Sequence, residues 1–191
     1  DTLAAVQGRR LVCIVGNVDD PLVAAGAVAD QFGDGPLVVG PTVPHLFAAG
    51  RSARAALAGQ SCAQAWPGAP RPVAADDLLA ERVLVGDAPA RAMLLDRIWH
   101  PLGSAGGGSL LETAAAYLEG GGGLEGTARL LFIHPNTVRY RLGRIADLTG
   151  YTLTDPHDGH TVRLALALGR LAQSTPTRAP RPIPAPTRDS M

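Results

Sequence analysis

The segment from Ala128 to Leu148, ARLLFIHPNTVRYRLGRIADL, constrains the fold of this chain more than any other stretch. Proline breaks a helix interior but is favoured in the first turn of a helix, so we expect one helix to end before Pro135 and another to begin near it. We therefore predict a helix over residues 124–131, a tight turn at Phe132–Pro135 and a second helix over residues 136–149.

The second predicted helix has an apolar face and a polar face. Val138, Leu142 and Ile145 fall on one side of a helical wheel, and Ala128 in the first helix is small enough for a close helix crossing. This is the layout of a helix-turn-helix, whose second helix enters the major groove of DNA with its N-terminal residues leading. The general pattern of that motif has glycine in the turn, where this chain has Phe132.

The distribution of charged residues favours binding of a polyanion, and it does so only at the second predicted helix. The chain has 17 arginines, no lysine and 17 acidic residues, so its net charge is zero and any nucleic-acid site must be a local patch. Three arginines and no acid lie between His134 and Ile145; beside DNA, each could bind a phosphate and release a counterion. The residues predicted to bind DNA are His134, Asn136, Thr137, Arg139, Tyr140, Arg141 and Arg144. The alternative is a solvated charged face of an ordinary helical bundle.

Residues 9 to about 85 alternate between strand-like and helix-like segments. Arg9–Gly16 predicts a buried strand, Asp20 and Pro21 begin a helix, and Pro36–Gly40 predicts a second strand. An alanine-rich helix, a third short strand and a helix beginning near Asp76 or Asp77 follow. The predicted fold class is α+β, with a small α/β domain before an all-α helix-turn-helix domain. Asp19 and Asp20 could be metal ligands, but a helix cap explains them better, and we predict no metal site.

Five regions follow from this pattern. We assign residues 1–87 to the α/β domain, 88–102 to a connecting helix, 103–108 to a flexible glycine-rich linker, 109–172 to the helix-turn-helix domain and 173–191 to a disordered proline-rich tail. The connecting helix should bury Ala92, Leu95, Ile98 and Trp99, and Ser109 with Glu112 fits a capping box. Residues 88–172 are predicted to fold without the α/β domain.

A family resemblance adds to this interpretation. The segment SLLETAAAYLEGGGGLEGTARLLFIHPNTVRYRLGRIADLTGYTLTDP resembles the C-terminal DNA-binding domain of PucR/CdaR-type bacterial transcription regulators, in which phenylalanine at position 132 is ordinary. The resemblance covers about residues 88–171, and its details are similar to the actinobacterial, MabR-like branch. It implies a DNA-binding transcription regulator with a recognition helix over about residues 136–149.

The N-terminal part resembles the second half of the degenerate GGDEF-like domain that precedes this module in many such regulators. A true diguanylate cyclase needs acidic metal ligands and an acidic hairpin, but only GRRLVCIVG stands where that hairpin would lead into its strand. We therefore predict no catalytic residues, no cofactor and no enzymatic activity. Two alternatives stay open: a nucleotide-cyclase-like protein, active or dead, and a helical protein-interaction module that does not bind DNA.

The remaining signals concern compartment and partners. Cys13 and Cys62 do not form a disulfide framework and are predicted to be reduced, buried thiols; the apolar runs are too short to span a membrane. His157 and His160 are a weak metal signal without nearby cysteines. We expect a cytoplasmic protein that binds a double-stranded DNA operator as a homodimer or higher oligomer and responds to an unknown small-molecule effector.

Overall fold

The computed structural model describes residues 2–105 and 108–174 in full and residues 106 and 107 by their backbone. The fold is α+β, as the sequence predicted. The strands are β1 (Thr2–Gln7), β2 (Arg10–Val15), β3 (Val38–Val39) and β4 (Val73–Ala74). The helices are α1 (Pro21–Ala27), α2 (Ala49–Cys62), α3 (Leu79–Leu84), α4 (Ala88–Leu94), α5 (His100–Ser104), α6 (Ser109–Glu119), α7 (Leu124–Leu131), α8 (Pro135–Thr149) and α9 (Pro156–Ser174).

The N-terminal half contains two small sheets. Strands β1 and β2 form an antiparallel hairpin, and β3 pairs in parallel with β4. The predicted strand at Arg9–Gly16 exists, but the prediction that it is buried is wrong, since the hairpin residues are almost all exposed. An apolar sequence run indicates a strand, but it cannot show whether another element covers that strand. Cys13 on β2 is consequently an exposed free thiol, whereas Cys62 is buried as predicted.

The start of α1 confirms the predicted cap. The Asp20 carboxylate accepts hydrogen bonds from the backbone N–H groups of Leu22 and Val23, at 2.9 and 3.1 Å, and Pro21 is the first helical residue. This arrangement satisfies two of the amides that a helix start leaves without partners. Asp20 therefore has a structural role in the fold.

The connecting helix buries Ile98 and Trp99, as predicted, and Leu95 is partly buried against the core, but the predicted burial of Ala92 is wrong. Ala90, Leu94, Ile98 and Leu102 are fully buried, whereas Ala92 is exposed. These four positions are spaced by four residues, which is more than the 3.6 of an α-helix, so they would drift around a regular helix. A π-helical turn at Leu95–Trp99, between α4 and α5, widens the helix and keeps them on one side.

The glycine-rich segment predicted as a flexible linker is helical. Helix α5 continues to Ser104, and a 3-10 turn over Ala105–Gly108 leads directly into α6. Helix α6 begins at Ser109, but the capping box predicted there does not form. The N-cap residue is Gly108, which has no side chain to cap the helix, and its left-handed backbone, with φ 85°, turns the chain into α6.

One apolar core joins the helical elements to the end of the N-terminal half. It contains Leu94, Ile98, Tyr117, Ile145 and Leu166, together with Leu79 of α3, and Val83 packs against it. A smaller cluster contains Ala63, Leu78 and Val73 of β4, and Val38 of β3 packs against it. The predicted boundary at residue 87 therefore lies within a packed region, although the division of the chain into domains stays a prediction.

Helix α9 closes the core and continues two residues beyond the predicted end of the helical domain. It ends at Ser174, and the rest of the predicted proline-rich tail, residues 175–191, lies outside the described residues. Among the described helices, none combines the length and hydropathy that crossing a membrane requires.

The contact between Gly169 and Trp99 gives a stability prediction. A Cβ atom added at Gly169 of α9 would overlap the buried Trp99 indole ring, because the ring lies directly against the helix backbone. We expect Gly169→Ala to lower the free energy of unfolding by about 1–3 kcal/mol, as overpacking does. Gly143→Ala is the matched control, since Gly143 is also helical but has no atom within 4 Å of an added Cβ. Chemical denaturation of both variants should show that only the Gly169 variant is destabilised; equal stabilities would contradict this packing.

Candidate nucleic-acid interface

Helix α8 is held in place by its apolar face. Val138 and Ile145 are fully buried, and Leu142 is partly buried against the same core. Ala128 on α7 is 4% exposed, as expected for a small residue at the crossing of α7 and α8. The face that the sequence predicted to be internal is therefore internal, and the polar side of α8 is left toward solvent.

The turn between α7 and α8 has an unusual backbone at Phe132. This residue is the C-cap of α7 and has left-handed torsion angles, φ 55° and ψ 41°. The N–H of Ile133 then bonds to the Ala128 carbonyl at 3.0 Å, which satisfies a free carbonyl at the helix end. Glycine is common at such positions because other residues pay for this conformation. The Phe132 side chain is 95% exposed, so it packs against nothing that would offset the strain.

His134 caps the N-terminus of α8. Its Nδ1 accepts a hydrogen bond of 3.1 Å from the backbone N–H of Asn136, and Pro135 is the first helical residue. To accept this bond Nδ1 must carry no proton, and the His134 side chain is exposed. The remaining free amides and the helix dipole at this end favour an anion.

A shallow exposed surface lies along the outer face of α8. It is lined by Asn136, Arg139, Tyr140, Gly143, Arg144 and Asp147. Arg139 donates to the Asn136 side-chain oxygen at 2.6 Å, and Arg144 lies 3.4 Å from the Asp147 carboxylate. Tyr140, between them, is 68% exposed. Both arginine pairs are exposed and local to the helix, so they contribute little to stability and can give way to a phosphate partner.

Arg141 occupies a different environment from Arg139 and Arg144. Its Nη1 donates a 3.1 Å hydrogen bond to the hydroxyl oxygen of Thr113, which is fully buried on α6. The Thr113 hydroxyl in turn donates to the Ser109 carbonyl at 2.7 Å. Arg141 thus joins α8 to α6 instead of extending from the outer face.

The structure brings most of the predicted residues to one surface. Asn136, Arg139, Tyr140 and Arg144 share the outer face of α8, His134 lies at the end of that helix and Thr137 is partly buried beside it. The sequence interpretation missed Thr113, because a threonine on a predicted helix gives no indication of which arginine it faces. It also missed the contacts that His157 makes with the N-terminal half.

Comparison with known proteins assigns a family to this part of the chain. Residues 110–168 match the PucR C-terminal helix-turn-helix domain. The purine catabolism regulatory protein of Bacillus subtilis is 44% identical over 63 residues, which is 33% of this chain and 12% of that protein.

Two longer matches extend into the N-terminal half. An uncharacterised protein of Mycobacterium tuberculosis is 47% identical over 181 residues, covering 91% of this chain and 42% of that protein; the chain thus spans about two fifths of its relative's length. The crystal structure of a regulator of polyketide synthase expression from Bifidobacterium adolescentis superposes with a TM-score of 0.79 at 36% identity, over 90% of this chain and 69% of the other.

The strained turn gives a second stability prediction. We expect Phe132→Gly to raise the free energy of unfolding by about 1 kcal/mol, because glycine adopts the left-handed conformation without the steric cost and the exposed ring contributes no packing. Phe132→Ala is the control, since alanine removes the ring but keeps the strain. Thermal or chemical unfolding should therefore rank the glycine variant above both the alanine variant and the parent; a less stable glycine variant would contradict this account of the turn.

Proposed function

We propose that α8 is the recognition helix of a PucR-type regulator and enters the major groove of an operator, since residues 110–168 match the PucR C-terminal helix-turn-helix domain. The observation that carries this proposal is the outer face of α8. This face is exposed, and its two arginines make no contact with buried groups among the described residues. The opposite, apolar face of α8 is buried in the core and holds the helix in place.

The exposed residues divide into two roles. Arg139 and Arg144 bind phosphate oxygens or guanine edges, for which the planar guanidinium is suited. Asn136, Thr137 and Tyr140 contact the major groove. When Arg139 binds DNA, its hydrogen bond to Asn136 breaks and the Asn136 side chain becomes available to DNA. His134 reaches the DNA backbone through Nε2 while its Nδ1 keeps the helix cap.

Arg141 has a separate role in this proposal. Its bond to the buried Thr113 hydroxyl supports a function in holding α8 against α6. It therefore keeps the recognition helix at a fixed angle, and any DNA contact that it makes comes second to that role.

The N-terminal half has a regulatory role in this proposal. It is a degenerate GGDEF-like domain that has lost catalysis, in a cytoplasmic protein that responds to a small-molecule effector. Two copies of the chain place two α8 helices on adjacent operator half-sites, as helix-turn-helix dimers do. The relatives from Bacillus subtilis and Bifidobacterium adolescentis are a purine catabolism regulatory protein and a regulator of polyketide synthase expression, which supports a regulatory role over the cyclase-like alternative.

Arginine substitutions test the assignment of the recognition helix. We expect Arg139→Ala and Arg144→Ala each to weaken binding to duplex DNA and to lower the slope of log affinity against log salt concentration by about one, since each removes a phosphate contact. Fluorescence anisotropy with a labelled duplex, at several salt concentrations, measures both quantities.

Arg170→Ala provides the matched control. Arg170 is an exposed arginine on α9 that pairs with Glu119, so its removal changes the net charge equally without altering α8. The control should bind DNA with the parent's affinity and salt slope. If the Arg139 and Arg144 variants also bind like the parent, α8 is not the recognition helix.

A further inference from the structure

Helix α9 begins in contact with the N-terminal half of the chain. His157, in its first turn, stacks on the indole ring of Trp66 with 3.5 Å between ring centroids and 5° between the ring planes. Its Nε2 lies 3.1 Å from Oε1 of Glu81 on α3. The Glu81 side chain is 4% exposed and that of His157 is 15% exposed, so the contact is largely shielded from water.

A second contact also joins the N-terminal half to the helical elements. Asp76, just before α3, accepts a 2.6 Å bond from Arg97 in the π-helical turn. Arg97 also lies against the Tyr151 hydroxyl. Burial raises the pKa of this phenol, so the hydroxyl stays protonated beside the guanidinium.

These two contacts flank the segment that follows the recognition helix. Helix α8 ends at Thr149, with Gly150 as its C-cap, and α9 begins at Pro156. Between them, Leu153 is buried, the N–H of Thr152 bonds to Asp158 at 2.8 Å, and the Asp155 carboxylate caps the amides of His157 and Asp158 at 2.9 Å each. These contacts hold the segment between the two helices rigid. A displacement of the start of α9 is therefore transmitted through it to the C-terminal end of α8.

We propose that Glu81 and Asp76 are positioning residues for DNA recognition: they act through His157, and through Arg97 with Tyr151, to set the angle at which the N-terminal half holds the C-terminal end of α8. This role rests on the proposed function of α8. It makes the N-terminal half part of the recognition unit, because a shift of α3 changes how the recognition helix is presented. Neither carboxylate belongs to the exposed surface of α8.

Positioning and charge have different signatures in DNA binding. Non-specific affinity depends on the arginines and phosphates alone, whereas specific affinity also requires the helix to meet base edges in register. Loss of the two contacts should therefore lower specific affinity and leave non-specific affinity unchanged. A purely structural role would lower both affinities in proportion to the folded fraction.

The test compares the full chain with Glu81→Gln, Asp76→Asn and the double variant. Carboxamides keep the shape of the carboxylates, and Glu119→Gln, which removes the charge of an exposed pair with Arg170, is the matched control. The specific probe is a duplex enriched by the parent chain from a random-sequence pool, and the non-specific probe is sheared genomic DNA. Amide hydrogen exchange over residues 151–158, without DNA, reports whether the contacts hold the segment.

We expect faster exchange over residues 151–158 and a specificity ratio lowered about tenfold in the double variant, a size typical of coupling between sites. Non-specific affinity and the Glu119→Gln control should match the parent. Unchanged exchange, an unchanged ratio, or an equal loss of both affinities would each overturn the positioning role. Failure of the parent to enrich any duplex would instead overturn the proposed function and this role with it, and the exchange rates would still show whether the contacts brace the segment.

Discussion

The arrangement of the N-terminal half relative to the helical elements that follow it depends on the hydrogen bonds and ion pair of the buried Arg82 guanidinium. Its Nε donates to the Asp87 carboxylate at 2.8 Å, and its Nη1 donates to the Ala75 carbonyl at 2.9 Å, while the side chain is only 2% exposed. Removing one partner of a buried ion pair leaves an uncompensated charge, which is strongly destabilising. Asp87 is also the N-cap of α4, so the same carboxylate fixes the end of α3 and the start of the helix that follows it.

The rest of the helical core is built from that junction. Helix α4 continues through the π-helical turn into α5, and its buried side, with Ile98 and Leu102, packs with α6, α8 and α9 in one apolar cluster. The Trp99 ring packs directly against Gly169 of α9, and this close contact sets the distance between those two elements. The exposed face of α8 is thus oriented by a chain of packed contacts that starts in the N-terminal half. Because these contacts are continuous, the contacts of Glu81 and Asp76 can affect the orientation of α8 and thereby its binding to specific DNA.

Local chemistry made parts of this structure predictable. Pro135 placed the start of α8 and Asp20 placed the start of α1, because both effects depend on residues adjacent in sequence. The buried and exposed sides of α8 followed from its periodicity, and so did most of the candidate DNA surface. The resemblance of the helix-turn-helix segment to PucR-type regulators followed from the pattern around NTVRYRL, and residues 110–168 match the PucR C-terminal helix-turn-helix domain.

Long-range pairing explains what the sequence could not predict. The burial of β2 depends on what covers it, the role of Arg141 depends on Thr113 28 positions away, and the His157–Glu81 contact spans 76 positions. The glycines of the segment Gly103–Gly108 suggested a flexible linker. The segment is helical instead, because the helices on both sides of it pack into the core. None of these features has a local signature.

Side-chain NMR of the arginines tests the central claim most directly. If the outer face of α8 binds DNA while Arg141 stays bonded to Thr113, titration with a duplex should shift the Nε–Hε resonances of Arg139 and Arg144 strongly and that of Arg141 weakly. The Arg170 resonance on α9 should not move. Shifts at Arg170 with unchanged signals from Arg139 and Arg144 would place DNA on another face and contradict the account.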